Sequence, residues 1–287
     1  MKNVIVLGSS GLIGHQVDAF LRSKENLNIK SFAYKNNFHT DSIIQNARDE
    51  ISLINKIKDI SPDCIVNCLG VLIEASNEDP ENAIFLNAYL PHRLARLADE
   101  IDAKFIHIST DCVFSGNKNE PYKEKDKKDG SSIYAKTKGL GEVISDRHLT
   151  LRTSVVGPEL TNRGEELFNW FMKQQNNING YTKSIWSGVT TLLLARAVEC
   201  SIRKDIKGLH HVTNNKSISK YELLKLFNMY AKKNIDILPV EGVISDKSFT
   251  DERSEFDFNI PSYQEMISEL FAYIKENQLI YKHYDIK

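Results

Sequence analysis

Asn3-Val4-Ile5-Val6-Leu7-Gly8-Ser9-Ser10-Gly11-Leu12-Ile13-Gly14 is the stretch of sequence that decides the fold. Its first five residues form an apolar, β-branched run that predicts a buried parallel strand. The glycine turn that follows leads into a helical pattern. This order is the context of a dinucleotide site, where glycines admit a pyrophosphate and the helix N-terminus supplies N–H donors. The spacing is G-x-x-G-x-x-G rather than G-x-G-x-x-G, so a glycine turn without a ligand stays an alternative.

Strand and helix patterns alternate along the rest of the first half of the chain. Helices are predicted at 51–60 and at 80–102, where Pro91 is expected to kink or break the longer one. Apolar runs predict four further strands, at 28–34, 64–70, 104–109 and 148–153. Together these patterns predict an α/β fold with a Rossmann-type, doubly wound parallel sheet.

The pattern changes after Gly157-Pro158. Helices are expected at 167–175, 191–203, 220–232 and 262–277, a strand at 208–212, and a loop at 180–188 that contains Tyr181 and Trp186. We therefore expect a dinucleotide-binding Rossmann domain at 1–156, completed by about 190–212. The remaining segments, 157–189 and 213–287, would form a smaller C-terminal α/β substrate region.

The end of the second predicted strand indicates which nicotinamide cofactor the chain uses. An NAD site usually has Asp or Glu there to hold the ribose 2′-hydroxyl, and none occurs between Asn26 and Thr40. Lys35 stands at this end instead, and a cation suits a 2′-phosphate, with the Ser9 and Ser10 hydroxyls nearby. We expect NADPH rather than NADH, although Lys35 as an ordinary surface residue stays an alternative.

A tyrosine and a lysine four residues apart, Tyr134 and Lys138, lie on one face of a predicted helix. An ammonium beside a phenol favours the phenolate, so we expect the pKa of Tyr134 to be lowered, which suits a general acid near neutral pH. Ser109 and Thr110 end a buried strand upstream, which places Thr110 at the same crevice edge as the glycine turn. A Tyr-x-x-x-Lys pair alone is more often only a helix surface.

Composition excludes several classes of function. The chain has 287 residues and a net charge of −1, so no nucleic-acid surface is expected. No apolar run reaches the roughly 18 residues of a membrane span, and no signal-peptide pattern is visible, so a cytoplasmic protein is expected. The four cysteines form no C-x-x-C pair, and neither a disulfide framework nor a metal site is predicted.

These motifs resemble the extended short-chain dehydrogenase/reductases. The resemblance lies in the glycine turn, in Ser109-Thr110-Asp111, and in Tyr134 to Lys138 followed by Gly141-Glu142. Within them, Ser109-Thr110-Asp111-Cys112-Val113-Phe114-Ser115-Gly116, Pro121-Tyr122, Glu124-x-Asp126 and Leu151-Arg152-Thr153 are similar to the dTDP-4-dehydrorhamnose reductase group. The resemblance covers about residues 1 to 160.

The resemblance implies a role for each matched position. Tyr134 would protonate the oxygen formed when hydride reaches a C4 ketone, Lys138 would hold the nicotinamide ribose, and Thr110 would bind the substrate oxygen. The cofactor would be bound by Gly8, Ser9, Ser10, Gly11, Leu12, Ile13, Gly14, Lys35, Cys68, Leu69, Gly70, Tyr134, Lys138, Thr153, Ser154 and Val155. The substrate would meet Thr110, Asp111, Phe114, Tyr181 and Trp186.

The implied activity is the NADPH-dependent reduction of the 4-keto group of a nucleotide-linked 4-keto-6-deoxyhexose, in the biosynthesis of surface polysaccharide sugars. The nucleotide sugar is the expected partner, and a homodimer is allowed for. Dehydration is disfavoured because Cys112 stands where dehydratases of this superfamily carry a glutamate. Two alternatives stay open. One is a bifunctional epimerase-reductase that uses Cys112, and the other is a non-catalytic NADP-binding regulatory subunit, like that of methionine adenosyltransferase.

Overall fold

The protein is described by a computed structural model of residues 1–36, 38–118, 120–162, 164, 166–252 and 258–286. In chain order its strands are β1 (Lys2–Leu7), β2 (Leu27–Ala33), β3 (Ile43–Ile44), β4 (Cys64–Asn67), β5 (Lys104–Thr110), β6 (Leu149–Thr153), β7 (Val155–Val156), β8 (Ile178–Tyr181), β9 (Ser184–Trp186), β10 (Val189–Thr190), β11 (Gly208–His211), β12 (Ile218–Ser219), β13 (Ile237–Val240) and β14 (Ser245–Asp246). Its helices are α1 (Gly14–Arg22), α2 (Glu50–Ile60), α3 (Ile73–Glu78), α4 (Pro80–Ala83), α5 (Leu90–Glu100), α6 (Ile133–Leu140), α7 (Leu167–Lys173), α8 (Thr191–Lys204), α9 (Lys220–Ala231) and α10 (Tyr263–Glu276).

Seven strands form one parallel sheet in the order β3-β2-β1-β4-β5-β6-β11. The order runs outward in both directions from the neighbouring strands β1 and β4. In doubly wound sheets the ligand crevice opens at this switch point, beyond the carboxyl ends of the strands. The predicted Rossmann-type fold is confirmed. The strand expected at 208–212 joins the sheet as β11, and only the two-residue β3 has no counterpart in the prediction.

The residues of β1 alternate between the two covered faces of the sheet. Val4 and Val6 pack into the hydrophobic cluster that includes residues of α1 and α8. Ile5 and Leu7 pack into the opposite cluster, which includes residues of α2 and α5. Because both faces are buried, this strand needs apolar residues at every position, and that is the pattern of the sequence.

The predicted helix over 80–102 continues through Pro91 instead of breaking there. It consists of α4, a π-helical segment at Ile84–Tyr89 and α5. Pro91 has no N–H to donate to the carbonyl of Asn87, and a widened turn accommodates the proline ring without ending the helix. The widened turn also carries the fully buried side chain of Asn87 toward α6.

The expected loop at 180–188 is wrong, because most of it is strand. Strand β8 pairs with β13, and β9 pairs with both β12 and β14. These partner strands come from residues 218–246, so the pairing depends on contacts between distant segments. A local reading of the glycines and polar residues in this stretch therefore misses it.

The C-terminal helices begin at clear sequence signals. Ser219 and Ser262 cap α9 and α10, and in both helices a glutamate three residues later completes a capping box. Among the described residues, none of the helices has the length and apolar character needed to cross a bilayer.

Candidate active site

The glycine turn between β1 and α1 leaves no room for side chains at two of its glycines. Gly8 has φ +80°, and a Cβ there would lie 3.1 Å from the backbone of Cys68. A Cβ on Gly14 would lie 2.0 Å from the carbonyl oxygen of Gly8. Only glycine meets both conditions. The turn therefore brings the N-terminus of α1 to the crevice between β1 and β4, and a dinucleotide pyrophosphate fits this arrangement.

The two serines of the turn have different environments. Ser9 is fully buried, and both its hydroxyl and its backbone N–H donate to the carbonyl of Phe32, at 3.1 and 2.9 Å. Ser10 is half-buried. The Ser9 side chain thus holds the turn against the end of β2, and of the two hydroxyls expected near a 2′-phosphate, only that of Ser10 is without this internal bond.

A cavity of about 130 Å³ opens at the carboxyl ends of β1 and β2, where an adenosine would lie in a Rossmann fold. Among the residues that line it are Tyr34, Arg48 and Leu69. Arg48 was not predicted from the sequence, and its guanidinium bonds Glu81 at 2.5 Å. Lys35 is exposed beside this cavity, with its ammonium 5.0 Å from the centre of the Tyr34 ring.

Helix α6 begins where the sequence predicts and carries Tyr134 and Lys138. The hydroxyl of Ser132 accepts from the N–H of Ala135 at 3.1 Å, which caps the helix. Lys138 is only 5% exposed, and its ammonium donates to the carbonyl of Ile108 at 2.7 Å. Burial lowers the pKa of Lys138 to about 8, because an ammonium is costly to remove from water.

Tyr134 lies at the junction of two cavities, half-buried and close to the end of β5. Its pKa is raised above the ordinary value, chiefly by burial and then by the neighbouring Cys112 thiol, while a hydrogen bond with Thr110 acts in the opposite direction. The expected lowering by Lys138 is wrong for this environment, because burial of the phenol dominates. A raised pKa keeps the phenol protonated at neutral pH, which is the form that a proton donor needs.

The residues after β5 form a tight polar turn beside Tyr134. The Thr110 hydroxyl donates to Asp111 Oδ1 at 3.1 Å and accepts from the N–H of Cys112 at 3.2 Å. Burial raises the pKa of the Cys112 thiol to about 11, and the ammonium of Lys247 lies 3.8 Å from its sulfur. Thr110 and Asp111 are both buried, so this turn has a fixed geometry.

Asn87 forms hydrogen bonds both with the loop after β4 and with α6, the helix that carries Tyr134. Its side chain accepts from the N–H of Val71 at 2.9 Å and donates to the Val71 carbonyl at 3.1 Å. It also donates to the Thr137 hydroxyl at 3.3 Å. Gly70 packs against this amide, since a Cβ there would lie 3.1 Å from Asn87 Oδ1. The loop with Cys68, Leu69 and Gly70 is thereby held against α6.

Two adjoining cavities meet at Tyr134, and they bring together most of the predicted site residues. The first, of about 260 Å³, is called the glycine-turn cavity and is lined by Gly11, Leu12, Ile13, Cys68, Leu69, Gly70, Leu72, Ile108, Ser109, Tyr134, Lys138 and Glu159. The second, of about 250 Å³, is called the Thr110 cavity and is lined by Leu12, Ile13, Leu72, Ile73, Ser109, Thr110, Asp111, Cys112, Tyr134, Thr153, Ser154, Val155 and Glu166.

Three predicted substrate residues line neither of these cavities. Phe114 is fully buried and stacks on Tyr122, with ring centres 4.1 Å apart. Tyr181 lies in β8 and is 41% exposed, and Trp186 is buried against Tyr263, with ring centres 5.7 Å apart. Their assignment to the substrate remains a prediction, to which these contacts lend no support.

Comparison with known proteins decides the family. The sequence model described as the RmlD substrate binding domain matches residues 1–248, which is most of the chain. The chain belongs to this family.

Relatives of this RmlD-family chain include enzymes and a subunit of an enzyme. It is 26% identical over 241 residues to a dTDP-4-dehydrorhamnose reductase of Escherichia coli, covering 80% of this chain and 79% of that protein. It is 28% identical over 246 residues to methionine adenosyltransferase 2 subunit beta of Bos taurus, covering 77% and 70%. Its fold is similar to that of a dTDP-4-dehydrorhamnose reductase from Bacillus anthracis in complex with NADP, with a TM-score of 0.82, 23% identity and coverage of 95% and 99%.

Several residues of this RmlD-family site escaped the sequence analysis. Glu159 and Glu166 enter the cavities from the segment before α7, and Asn87 acts from the π-helical turn. The segment before α7 follows β7 and offers no motif, so only its position after a strand end could have indicated a site. Asn87 had a better signal, since a polar side chain four residues before a helical proline is unusual in an apolar face.

Proposed function

We propose that the chain catalyses the NADPH-dependent reduction of the 4-keto group of a nucleotide-linked 4-keto-6-deoxyhexose, as a dTDP-4-dehydrorhamnose reductase-like enzyme of surface polysaccharide biosynthesis. One observation carries the proposal. A protonated, half-buried phenol, Tyr134, stands where the glycine-turn cavity opens into the Thr110 cavity. A group at this junction contacts both a cofactor in the first cavity and a substrate in the second.

The glycine-turn cavity and the cavity at the end of β2 are the proposed cofactor site. The bound NADPH would supply a hydride to the ketone carbon. The turn from Gly8 to Gly14 would hold the pyrophosphate with its backbone N–H groups, and Cys68, Leu69 and Gly70 would border the opposite side. Lys35 and Arg48 are the cations near the adenosine end, and we assign the 2′-phosphate to them.

Tyr134 and Thr110 act on the ketone oxygen in the proposed mechanism. As charge develops on this oxygen, Tyr134 donates a hydrogen bond to it, and Thr110 does so once its O–H turns away from Asp111 Oδ1. Tyr134 then transfers its proton. The raised pKa of Tyr134 keeps the proton on the phenol until the oxygen becomes basic. Thr153, Ser154 and Val155 line the wall beside this oxygen and would orient the two reactants.

Lys138 serves the cofactor rather than the ketone in this proposal. Its ammonium is fixed by the carbonyl of Ile108 and faces the glycine-turn cavity, within which it would donate to the nicotinamide ribose.

Two alternative activities receive less support. An epimerase that used Cys112 as a base would need a thiolate, and burial raises the pKa of this thiol to about 11. A regulatory subunit related to that of methionine adenosyltransferase needs no proton donor. The set of Thr110, Tyr134 and Lys138 at one junction would then have no use.

The proposal also covers the substrate-binding segments, the cellular compartment and the oligomeric state. We assign residues 157–189 and 213–287 to substrate binding, and the reaction to the cytoplasm. We also include a homodimer, because α6 and the preceding π-helical turn expose apolar side chains on neighbouring helices: Ile84, Tyr89 and Leu140 are 56%, 48% and 69% exposed. Light scattering of the purified chain tests the dimer.

Replacement of Tyr134 by Phe tests the proton donor. Because the ring is kept and only the hydroxyl is lost, NADPH affinity should stay within about twofold, while turnover with a nucleotide 4-ketosugar falls roughly 10²-fold or more. Loss of nicotinamide absorbance measures turnover. Tyr89→Phe is the matched control, since the Tyr89 hydroxyl bonds Glu50 on the surface. An undiminished rate in Tyr134→Phe would remove this residue from the mechanism, and an inactive wild type that still binds NADPH would favour the regulatory subunit.

Replacement of Lys138 by Met tests the cofactor contact. The variant should weaken NADPH binding and lower turnover, because the ribose loses a charged donor. In the wild type, NADPH affinity should also fall as pH rises through about 8, where the ammonium loses its charge. Lys136→Met, an exposed lysine on the same helix, is the control. Equal NADPH affinity and pH dependence in both variants and the wild type would contradict the assignment.

A further inference from the structure

We infer that Glu166 is a specificity-determining residue whose carboxylate accepts a hydrogen bond from a hydroxyl or amide substituent of the sugar, and that the ammonium of Lys220 stabilises this carboxylate. The inference rests on the proposed function and names the substrate class more closely. The mechanism above has no role for either residue. Both carry charge close to the Thr110 cavity, in which the sugar ring would lie.

Glu166 lines the Thr110 cavity together with Tyr134. It immediately precedes α7, and its Oε2 accepts from the N–H of Phe168 at 2.7 Å. Its own N–H donates to Glu159 Oε1 at 3.2 Å. The bond from Phe168 fixes the direction of the side chain. A carboxylate held in this way keeps lone pairs for a ligand, since each of its oxygens has more than one.

Lys220 is a half-buried cation of the same neighbourhood. It opens α9, and its ammonium lies 5.4 Å from the centre of the Trp186 ring. The charge that acts on it most strongly is that of Glu166, followed by Asp111. Within the part of the chain that the structure describes, no ion pair at 4.0 Å or less joins Lys220 to a carboxylate.

Glu166 and Lys220 are both half-buried, so each charge is partly removed from water. Burying charge costs free energy unless hydrogen bonds or a direct partner compensate it. A sugar substituent that donates to Glu166 would supply one such bond. Hydrophobic walls could not discriminate among ketosugars in this way, because a site built to bond a donor rejects an analogue that lacks it.

The pKa of Glu166 is consistent with a role of its carboxylate in binding. Burial raises the pKa of Glu166 to about 7, and the charge of Lys220 opposes the rise. The other groups that face Glu166 are the Glu159 carboxylate, which acts to raise its pKa, and the backbone N–H groups of Gly157 and Phe168, which lower it. The carboxylate therefore changes charge in the range where activity is measured, and binding of a donor should require the ionised form.

The test measures kcat/KM between pH 6 and 9 with NADPH and a panel of nucleotide 4-ketosugars. The panel contains a 2-hydroxyl sugar, a 2-acetamido sugar and a 2-deoxy sugar, with further hydroxyls removed one at a time. For the preferred sugar, kcat/KM of the wild type should rise about tenfold through pH 7. For the analogue without the bonded donor, the rise should be absent, and kcat/KM at pH 8 should be lower by about tenfold or more. The sugar of the panel whose kcat/KM lacks the rise shows whether that donor is a hydroxyl or an amide.

Variants separate the roles of the two residues. Glu166→Gln keeps the shape and can still accept from Phe168, so it should lose the rise through pH 7 while NADPH affinity is unchanged. Lys220→Met should shift the rise to higher pH, because Glu166 loses the charge that favours its ionised form. The controls are Glu269→Gln on the surface of α10 and Lys225→Met on the exposed face of α9.

The outcomes distinguish this inference from the proposed function. Wild-type profiles that are the same for every sugar, or a Glu166→Gln profile like that of the wild type, would overturn the role of Glu166 and leave the reductase intact. A wild type that fails to oxidise NADPH with any ketosugar of the panel would overturn the proposed function and the inference with it. The wild-type panel alone decides the matter if a variant fails to fold.

Discussion

The proposed cofactor side of the cleft and its proposed substrate side are built by different means. On the cofactor side, the glycine turn and the loop after β4 approach each other through backbone, at distances that exclude a Cβ on Gly8 or Gly14. On the substrate side, charged and polar side chains come from widely separated segments, among them Asp111, Glu166 and Lys220. The cofactor side depends on the close approach of two main-chain segments. The substrate side depends on contacts that stabilise partly buried charges.

A buried ion pair supports Ser109, which lines both cavities. Arg152 is 1% exposed and bonds Glu142 through two of its nitrogens, each at 2.7 Å. Ser109 donates to the same carboxylate at 2.7 Å, and Arg152 also contacts His211 Nε2 at 2.8 Å. The pair thus connects the end of β5 and the segment after α6 with β6 and β11. Ser109 is thus held by contacts between distant segments and not by local sequence.

The largest expected effect comes from breaking this pair. Arg152→Met keeps much of the side-chain volume but leaves Glu142 buried with only Lys128 and Ser109 as partners. The free energy of unfolding should fall by about 3–5 kcal/mol, as measured by denaturant titration.

The matched control for Arg152→Met is an arginine at the surface. Arg196 pairs with Glu269, and both side chains are more than a third exposed, so Arg196→Met should cost no more than about 1 kcal/mol. Similar losses in the two variants would mean that burial of charge does not distinguish the substrate side.

A smaller effect is expected from the backbone-built side. Gly14→Ala places a methyl group 2.0 Å from the carbonyl oxygen of Gly8, and the turn must move to admit it. Unfolding should become easier by roughly 1–3 kcal/mol, and NADPH affinity should fall as well, because the N-terminus of α1 is displaced. Calorimetry measures both quantities.

Gly139→Ala is the control for this substitution. It lies within α6, where an added Cβ would have neighbours no closer than 3.5 Å, and alanine is the better helix former. Its stability should be equal to that of the wild type or higher. If Gly14→Ala were as stable as the wild type and bound NADPH equally well, the close approach of Gly8 and Gly14 would not be needed for the glycine turn.

The same contrast explains how much the sequence predicts. The glycine turn, β1, β5 and α6 follow from periods of apolar residues and from caps such as Ser132, which act within a few residues. The site residues Thr110 and Tyr134 lie at the ends of those elements and are placed by them. The small strands β8 and β9 are not predictable in this way, since their partners lie about 30 to 60 residues further along the chain.

The pKa values of the site residues could not be predicted from the sequence either. The spacing of Tyr134 and Lys138 suggests a lowered pKa for the phenol, but the free energy of burying a phenolate depends on every element around it. Glu166 was missed for the same reason. The groups that act on it include Lys220 at the start of α9 and the backbone of Gly157, and no local pattern predicts that these segments meet.

The smallest expected effect concerns a contact that joins the C-terminus to the cofactor side. The Tyr281 hydroxyl contacts His15 Nε2 at 2.9 Å, and His15 Nδ1 bonds the carbonyl of Gly11 at 2.8 Å. Tyr281→Phe removes only the hydroxyl, which leaves the buried ring nitrogen of His15 without this partner, and should cost about 1–2 kcal/mol of unfolding free energy. The loss should be equal at pH 7 and at pH 5, because burial lowers the pKa of His15 to about 4 and the ring of the folded protein is neutral at both pH values. In the wild type and the variant alike, the stability from the neutral ring is full above its unfolded pKa of 6.5 and declines as pH falls toward 4. Tyr89→Phe, at the surface, should change little at either pH. A Tyr281→Phe variant as stable as this control would show that the C-terminal segment does not support the glycine turn.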